Sequence, residues 1–133
     1  MDQMSNLICL LMAIQGKAKD IHYNCSGDDF YGKHLFADRI ADGIDDFIDQ
    51  IKETCILGHD KKPLQATEYL VEASKWLNGL GNEFSDVLHL IVECLSHIER
   101  MHNIARGDSK LLDDIANKLQ NDKGLIHIMF GDK

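Results

Sequence analysis

Apolar side chains recur at alternating spacings of four and three along residues 29–57. This period places them on one face of an α-helix, because ~3.6 residues complete a turn. A seam of this length is typical of a long helix packed in a bundle. The seam consists of Phe30, His34, Ala37, Ala41, Ile44, Ile48, Ile51 and Cys55.

Helical periods account for most of the remaining chain, and strand patterns are nearly absent. The sequence has one proline, Pro63, so long helices can form on either side of it. The predicted helices are 3–23, 29–57, 64–77, 82–105 and 109–130. Ser109 is the expected N-cap of the last one. We therefore predict an all-α four-helix bundle with one additional short helix, forming a single domain over residues 1–133.

The charge balance makes nucleic acid an unlikely partner. The chain has 14 Lys and Arg residues against 22 Asp and Glu residues, a formal charge of −8, and an acidic surface repels phosphate backbones. The four cysteines form no CxxC pair, which favours reduced thiols in a cytoplasmic protein. The apolar run Leu7–Ile14 has no Lys or Arg before it and is too short to span a membrane, so we expect a buried helix face.

The stretch IHYNCSGDDFYGKHLFAD, residues 21–38, connects the first two predicted helices. Gly, Asn, Asp and Ser cluster in its middle, which indicates a turn. A hairpin turning at Gly27–Asp28 is nearly symmetric between His22 and His34, so we expect the two imidazoles to meet across it. Asp38 lies one helical turn beyond His34 and can reach the same ion. Histidines that merely pack in the core are the alternative interpretation.

Carboxylates form a stripe beside the apolar seam of the second helix. Two of them, Asp49 and Glu53, are one turn apart and can also share an ion. On a straight helix this pair lies about 22 Å from His34 and Asp38, at ~1.5 Å per residue, so one helix cannot bring all four to one ion. A solvated acidic face is the alternative interpretation of the stripe. It comprises Asp38, Asp42, Asp45, Asp49 and Glu53.

Two copies of the second helix can supply what one cannot. If they cross antiparallel about a two-fold axis near Gly43, the Asp49–Glu53 pair of one chain lies opposite the histidine hairpin of the other. Ala41 and Gly43 have small side chains that permit close approach at this axis. The resulting set of imidazole and carboxylate ligands suits iron, manganese or zinc.

The run from His22 to Glu53 resembles the ferroxidase signature of the Dps family, which consists of ferritin-like mini-ferritins. In that signature a histidine, an aromatic residue and Asn precede a turn with Gly and Phe. A second histidine follows twelve residues after the first, Asp four later, an acid eleven later and Glu four after that. The linker Ile56–Ser74 also resembles the family's connection into its short crossover helix. The matching residues are His22, Tyr23, Asn24, Gly27, Phe30, His34, Asp38, Asp49 and Glu53.

The resemblance implies a ferritin-like four-helix bundle with a short crossover helix between helices two and three. It also implies a ferroxidase that oxidises Fe²⁺, typically with hydrogen peroxide, and stores ferric iron inside a dodecamer built from two-fold dimers. Zn or Mn can substitute for iron in such a ligand set. The metal ligands and catalytic residues, shared between two subunits, are then His22, His34, Asp38, Asp49 and Glu53.

Three features depart from the family pattern. The basic N-terminal tail is missing, so DNA binding is not expected; Tyr23 replaces the usual Trp; and the chain after the signature is short for a dodecameric cage. One alternative function is a ferritin-like scaffold or interaction protein without ferroxidase activity. A weaker one is a site within one subunit at Glu99 and His102, which match the ExxH spacing of di-iron bundles. Near the start of the last helix, Asp108, Asp113 and Asp114 could line an acidic entry pore, but we expect them to complement the helix dipole instead. We expect His59 to have no partner.

Overall fold

A computed structural model describes residues 1–131, so residues 132–133 of the predicted domain lie outside the described part of the chain. Every regular element within 1–131 is helical, which confirms the all-α prediction. A π-helical segment (Ile51–Ile56) and a 3₁₀ turn (Leu57–His59) follow the third α-helix. The α-helices are α1 (Gln3–Asn24), α2 (Phe30–Ala41), α3 (Ile44–Gln50), α4 (Ala66–Leu77), α5 (Phe84–Arg100) and α6 (Arg106–Phe130).

The hydrophobic core is centred on α1, which is buried on most of its surface. Leu7, Leu11 and Ile14 are at most 1% exposed, and α1 packs against α2, α4 and α5. Burial of each such side chain contributes roughly 1.5–3 kcal/mol to stability. The run Leu7–Ile14 is therefore part of an interior helix, as predicted. No helix within residues 1–131 is long and apolar enough to cross a bilayer.

The helices α5 and α6 complete the bundle around α1 and α2. A stack of three phenylalanines joins them at one end: the ring centroids of Phe36 and Phe84 are 5.2 Å apart, and those of Phe84 and Phe130 are 4.6 Å apart. Each aromatic pair adds about 0.5–1.5 kcal/mol beyond burial. The short helix α4 lies against α1 through the buried side chains of Tyr69 and Ala73.

The predicted second helix is interrupted. α2 ends at Ala41, and the chain turns through Asp42 (φ −64°, ψ 135°) and Gly43 (φ 82°, ψ −10°) before α3 begins. These are the angles of a type II turn, whose third residue needs a positive φ and is usually glycine. The prediction of one straight helix over residues 29–57 is wrong, and the separation of about 22 Å that followed from it does not apply.

Several expectations at the level of single residues are also wrong. α6 begins at Arg106 with Ala105 as its N-cap, so Ser109 lies inside the helix. α5 ends at Arg100, short of the predicted position 105. Ala41 is only 3% exposed because it packs in the core of its own chain, so it is not free to line a contact between two chains. Phe30, a member of the predicted seam, is 43% exposed.

Candidate functional site

The α1–α2 hairpin turns tightly between Asn24 and Phe30. The amide of Cys25 donates to the Ile21 carbonyl and ends α1, and the Phe30 amide donates to the Gly27 carbonyl at 3.2 Å. Gly27 adopts φ 95°, which glycine reaches without the clash of a Cβ atom. The turn lays the last turn of α1 antiparallel against the start of α2.

The two histidines of the hairpin meet across it, as predicted. The rings of His22 and His34 are stacked, with centroids 3.7 Å apart and planes 17° from parallel. Nδ1 of His22 lies 2.7 Å from the His34 carbonyl oxygen, and Nδ1 of His34 lies 2.6 Å from the His22 carbonyl oxygen. The His22 carbonyl belongs to the last turn of α1, where carbonyls have no helical partner, so the His34 ring satisfies a group that the helix cannot.

This reciprocal pairing fixes the protonation pattern of both rings. A carbonyl oxygen only accepts hydrogen bonds, so each Nδ1 must carry the hydrogen. In a neutral ring the lone pair is then on Nε2, which is the atom that binds a metal. Metal-binding histidines characteristically donate their other ring N–H to a carbonyl or carboxylate in this way. The hairpin therefore offers two Nε2 atoms whose ring orientation is set by the backbone.

Asp38 lies beside the histidine pair, but its carboxylate is paired with a lysine. Lys19 Nζ is 3.1 Å from Asp38 Oδ1, and both side chains are about half exposed. The hydrogen bond from Lys19 and then its charge hold the pKa of Asp38 below its ordinary value, and the two histidines lower it further when they are charged. Asp38 is therefore an anionic carboxylate near the histidine pair, with Lys19 as its counter-charge.

Exposed apolar side chains surround the histidine pair. The Phe30 ring stacks on His34 at 5.3 Å, and Tyr23 meets the edge of His22 at 4.8 Å. Both aromatic rings are nevertheless exposed, Tyr23 by 73%. Leu35, on α2, is also 49% exposed. Solvent-exposed apolar side chains clustered around polar groups are typical of a surface that another molecule covers.

The acidic half of the predicted site lies on a different part of the chain. Asp49 is exposed near the end of α3, and Glu53 is exposed in the π-helical segment. Lys52, between them in the sequence, places its ammonium 5.1 Å from the centre of the Tyr69 ring. π-Helical turns are rare and frequently occur at functional sites. Among residues 1–131, no group of three or more His, Cys, Asp or Glu side chains is arranged to hold a metal ion.

Comparison with protein-family models and with curated proteins finds no match for this chain.

Sequence reasoning missed two polar partners. Lys19 lies one turn before His22 on α1, and this spacing places both on the same helix face, towards α2. The contact between Lys19 and Asp38 could therefore have been predicted from the sequence. His59, expected to be unpaired, bonds through Nε2 to Asp108 at 2.8 Å. Those two residues are 49 positions apart and no local pattern connects them.

The weaker alternative within one subunit loses its basis in helix geometry. His102 lies beyond the end of α5 at Arg100, so the ExxH spacing from Glu99 does not place the two side chains on successive turns of one helix.

Of the other stripe carboxylates, Asp45 accepts a hydrogen bond from Gln15 at 2.8 Å, which ties it to α1.

Proposed function

We propose that this chain is a cytoplasmic, ferritin-like ferroxidase that oxidises Fe²⁺, with hydrogen peroxide as the oxidant, at a site shared between two copies. In this proposal His22, His34 and Asp38 of one copy bind iron together with Asp49 and Glu53 of the other. Two-fold dimers of this kind assemble further into a cage that stores ferric iron.

The reciprocal histidine pair is the observation that carries the proposal. A histidine that only fills space needs no defined tautomer, whereas here both rings are held by backbone carbonyls with Nε2 left for a ligand. Both side chains are half-buried, and the anionic Asp38 is their neighbour. Two imidazole nitrogens with carboxylate oxygens form the ligand chemistry of iron, manganese and zinc.

A second copy accounts for the apolar surroundings and for the missing ligands together. Tyr23 and Phe30 are exposed against the histidine rings, and Leu35 is exposed one position after His34. A protein surface covering these side chains would gain about 25 cal/mol per Å² of apolar area. The second copy would also bring the carboxylates of Asp49 and Glu53 to the histidine hairpin, which has only Asp38 from its own chain. A two-fold contact repeats the arrangement, so each dimer has two sites.

The chemistry balances with two ferrous ions for each peroxide. Each Fe²⁺ gives up one electron, and hydrogen peroxide takes both electrons and two protons to become two molecules of water. Because both electrons are delivered together, no hydroxyl radical is released. The carboxylates stabilise the added charge of the ferric product, and the acidic balance of the chain, −8, suits a protein that gathers cations.

The decisive experiment is complementation between two inactive variants. We expect His34→Ala and Glu53→Ala each to abolish peroxide-dependent Fe²⁺ oxidation when expressed alone. When the two chains are co-expressed, random pairing makes about half of the dimers mixed, and each mixed dimer has one intact site, so about a quarter of the sites are restored. Stopped-flow absorbance of ferric iron measures the recovery.

A matched control uses two variants from the same half of the site. His22→Ala co-expressed with His34→Ala gives mixed dimers in which every site lacks one imidazole, so no recovery is expected. A site within one chain predicts no recovery in either mixture. If the wild-type protein neither binds nor oxidises Fe²⁺ but still forms dimers, the protein is a scaffold and the ferroxidase proposal is wrong.

A further inference from the structure

Asp108 is one of the buried charged side chains of residues 1–131. It occupies the first turn of α6 and is 5% exposed. A carboxylate there is favoured by the positive end of the helix dipole, which accounts for the charge but not for the burial. Its hydrogen-bond partner is His59, whose Nε2 is 2.8 Å from Asp108 Oδ2.

The His59–Asp108 contact fastens the end of the π-helical segment to α6. His59 lies in the 3₁₀ turn that directly follows this segment, and the segment itself packs against α6. Cys55, in the middle of the segment, lines one cleft of about 460 Å³ together with His59 and Asp108. The irregular stretch therefore meets Asp108 of α6 through two side chains, buried Cys55 and His59.

The backbone of this stretch is irregular. It passes from α-helix to π-helix to 3₁₀ turn within residues 50–59, and the Leu57 amide is shared between the carbonyls of Glu53 and Lys52. A change of helix type alters the direction in which each side chain leaves the axis. The direction of Glu53 relative to Asp49 thus depends on how the segment is held.

We propose that Asp108 is a positioning residue: by holding His59 it fixes the π-helical segment so that Glu53 points to the metal shared with the other copy. This inference rests on the proposed function, and it adds to the site a pair of residues that touch neither the metal nor the oxidant. Loss of such supporting partners typically weakens metal binding by about 10–100-fold.

The test measures metal affinity and local backbone protection in the full-length protein. Titration calorimetry with Zn²⁺, and anaerobically with Fe²⁺, compares wild type with His59→Ala, Asp108→Asn and His59→Gln. We expect the first two to bind at least tenfold more weakly, and His59→Gln to recover affinity because its amide can still donate to the carboxylate. Hydrogen exchange of the amides of residues 53–57 should quicken in His59→Ala, and exchange at residues 19–38 should not change.

Two matched controls replace exposed residues of the same type, His89→Ala on α5 and Asp113→Asn on α6, and both should behave as wild type. In a Glu53→Ala background, His59→Ala should weaken metal binding no further, because the side chain that it positions is gone. If His59→Ala lowers thermal stability but leaves both affinities unchanged, the pair is only structural and this inference is wrong. If the wild-type protein binds neither ion, the proposed function is wrong and this inference fails with it.

Discussion

The two halves of the proposed site are held in different ways. The histidine half lies on two regular helices, and each ring is fixed by a carbonyl of the facing helix at 2.7 or 2.6 Å. The acidic half lies where the helix changes type, and its two carboxylates are exposed. The first half is preorganised by its own chain, whereas the second takes its direction from a less regular backbone. Ligands held before the metal arrives lose less entropy on binding, so we expect the hairpin to bind the metal first.

The largest contrast should appear when one ligand is removed from each half. Both His34→Ala and Asp49→Ala should abolish peroxide-dependent Fe²⁺ oxidation, because each removes one of the proposed ligands. Only His34→Ala should also lower the free energy of unfolding, by about 1 kcal/mol, because it removes the hydrogen bond from the His34 ring to the His22 carbonyl. Initial rates and urea unfolding measure the two effects.

Equal losses of stability in these two variants would contradict the comparison, since Asp49 is exposed and has no role in holding its helix. His89→Ala is the control for replacing a histidine elsewhere on the surface. It should change neither the rate nor the stability.

Alkylation of the cysteines tests the contrast between the two halves without changing any proposed ligand. Burial, followed by the Asp108 charge, raises the pKa of the Cys55 thiol to about 12, and burial raises the pKa of Cys94 to about 12. Only thiolates react with iodoacetamide, so at pH 8 we expect half-buried Cys25 to be alkylated at least tenfold faster than either. Mass spectrometry of the peptides gives the three rates.

Cys94 is the internal control for Cys55, because both thiols are buried and both have a pKa of about 12. If Cys55 is modified at the same rate as Cys94, the π-helical segment is as well closed as the core. If it is modified much faster, this segment opens locally and the acidic half is mobile on the timescale of the labelling.

Lys19→Ala should have an intermediate effect on the histidine half. Removing the cation that competes at Asp38 should strengthen Zn²⁺ and Fe²⁺ binding about fivefold, as expected for one nearby charge in a solvated setting. The variant should also raise the pKa of Asp38 towards its ordinary value, which NMR titration of the carboxyl group measures. Lys110→Ala, which breaks an exposed pair on α6, is the control.

The contribution of the Lys19–Asp38 contact to stability depends on pH. The pKa of Asp38 is lowered in the folded protein, so its pairing with Lys19 adds stability above the pKa of the unfolded carboxyl, ~3.9. That contribution is lost as the pH falls through the lower pKa of the folded state. The unfolding free energy of Lys19→Ala should therefore approach that of wild type at the acidic end of this range. A difference that grows as the pH falls would show that Lys19 acts through another partner.

Sequence periodicity predicted the bundle and the hairpin contact because both depend on short-range spacing. His22 and His34 are nearly equally distant from the turn, and the helix period places both on the facing sides of the hairpin. It could not predict the π-helical segment, because the apolar seam through Ile51 and Cys55 is compatible with either helix type. The His59–Asp108 contact depends on how distant helices pack, and no spacing within one helix encodes it.

The smallest effects should come from two glycines, which test the interruption between the halves. Gly43 has φ 82° with no atom within 4 Å of an added Cβ, so Gly43→Ala suffers backbone strain without a steric clash. We expect it to destabilise the protein by about 1 kcal/mol. Gly124 lies inside α6 with equal space around it, and Gly124→Ala should stabilise by ~0.5–1 kcal/mol because alanine favours the helix.

Urea unfolding of these two variants gives opposite signs if α2 and α3 are separated by a true turn. If Gly43→Ala also stabilises the protein, residue 43 has helical angles in solution and the second helix runs unbroken, as its apolar seam predicts. Asp49 and Glu53 would then continue the axis that carries His34, and both halves of the site would rest on one rigid helix. The contrast between a preorganised half and a backbone-dependent half would then be confined to the π-helical segment.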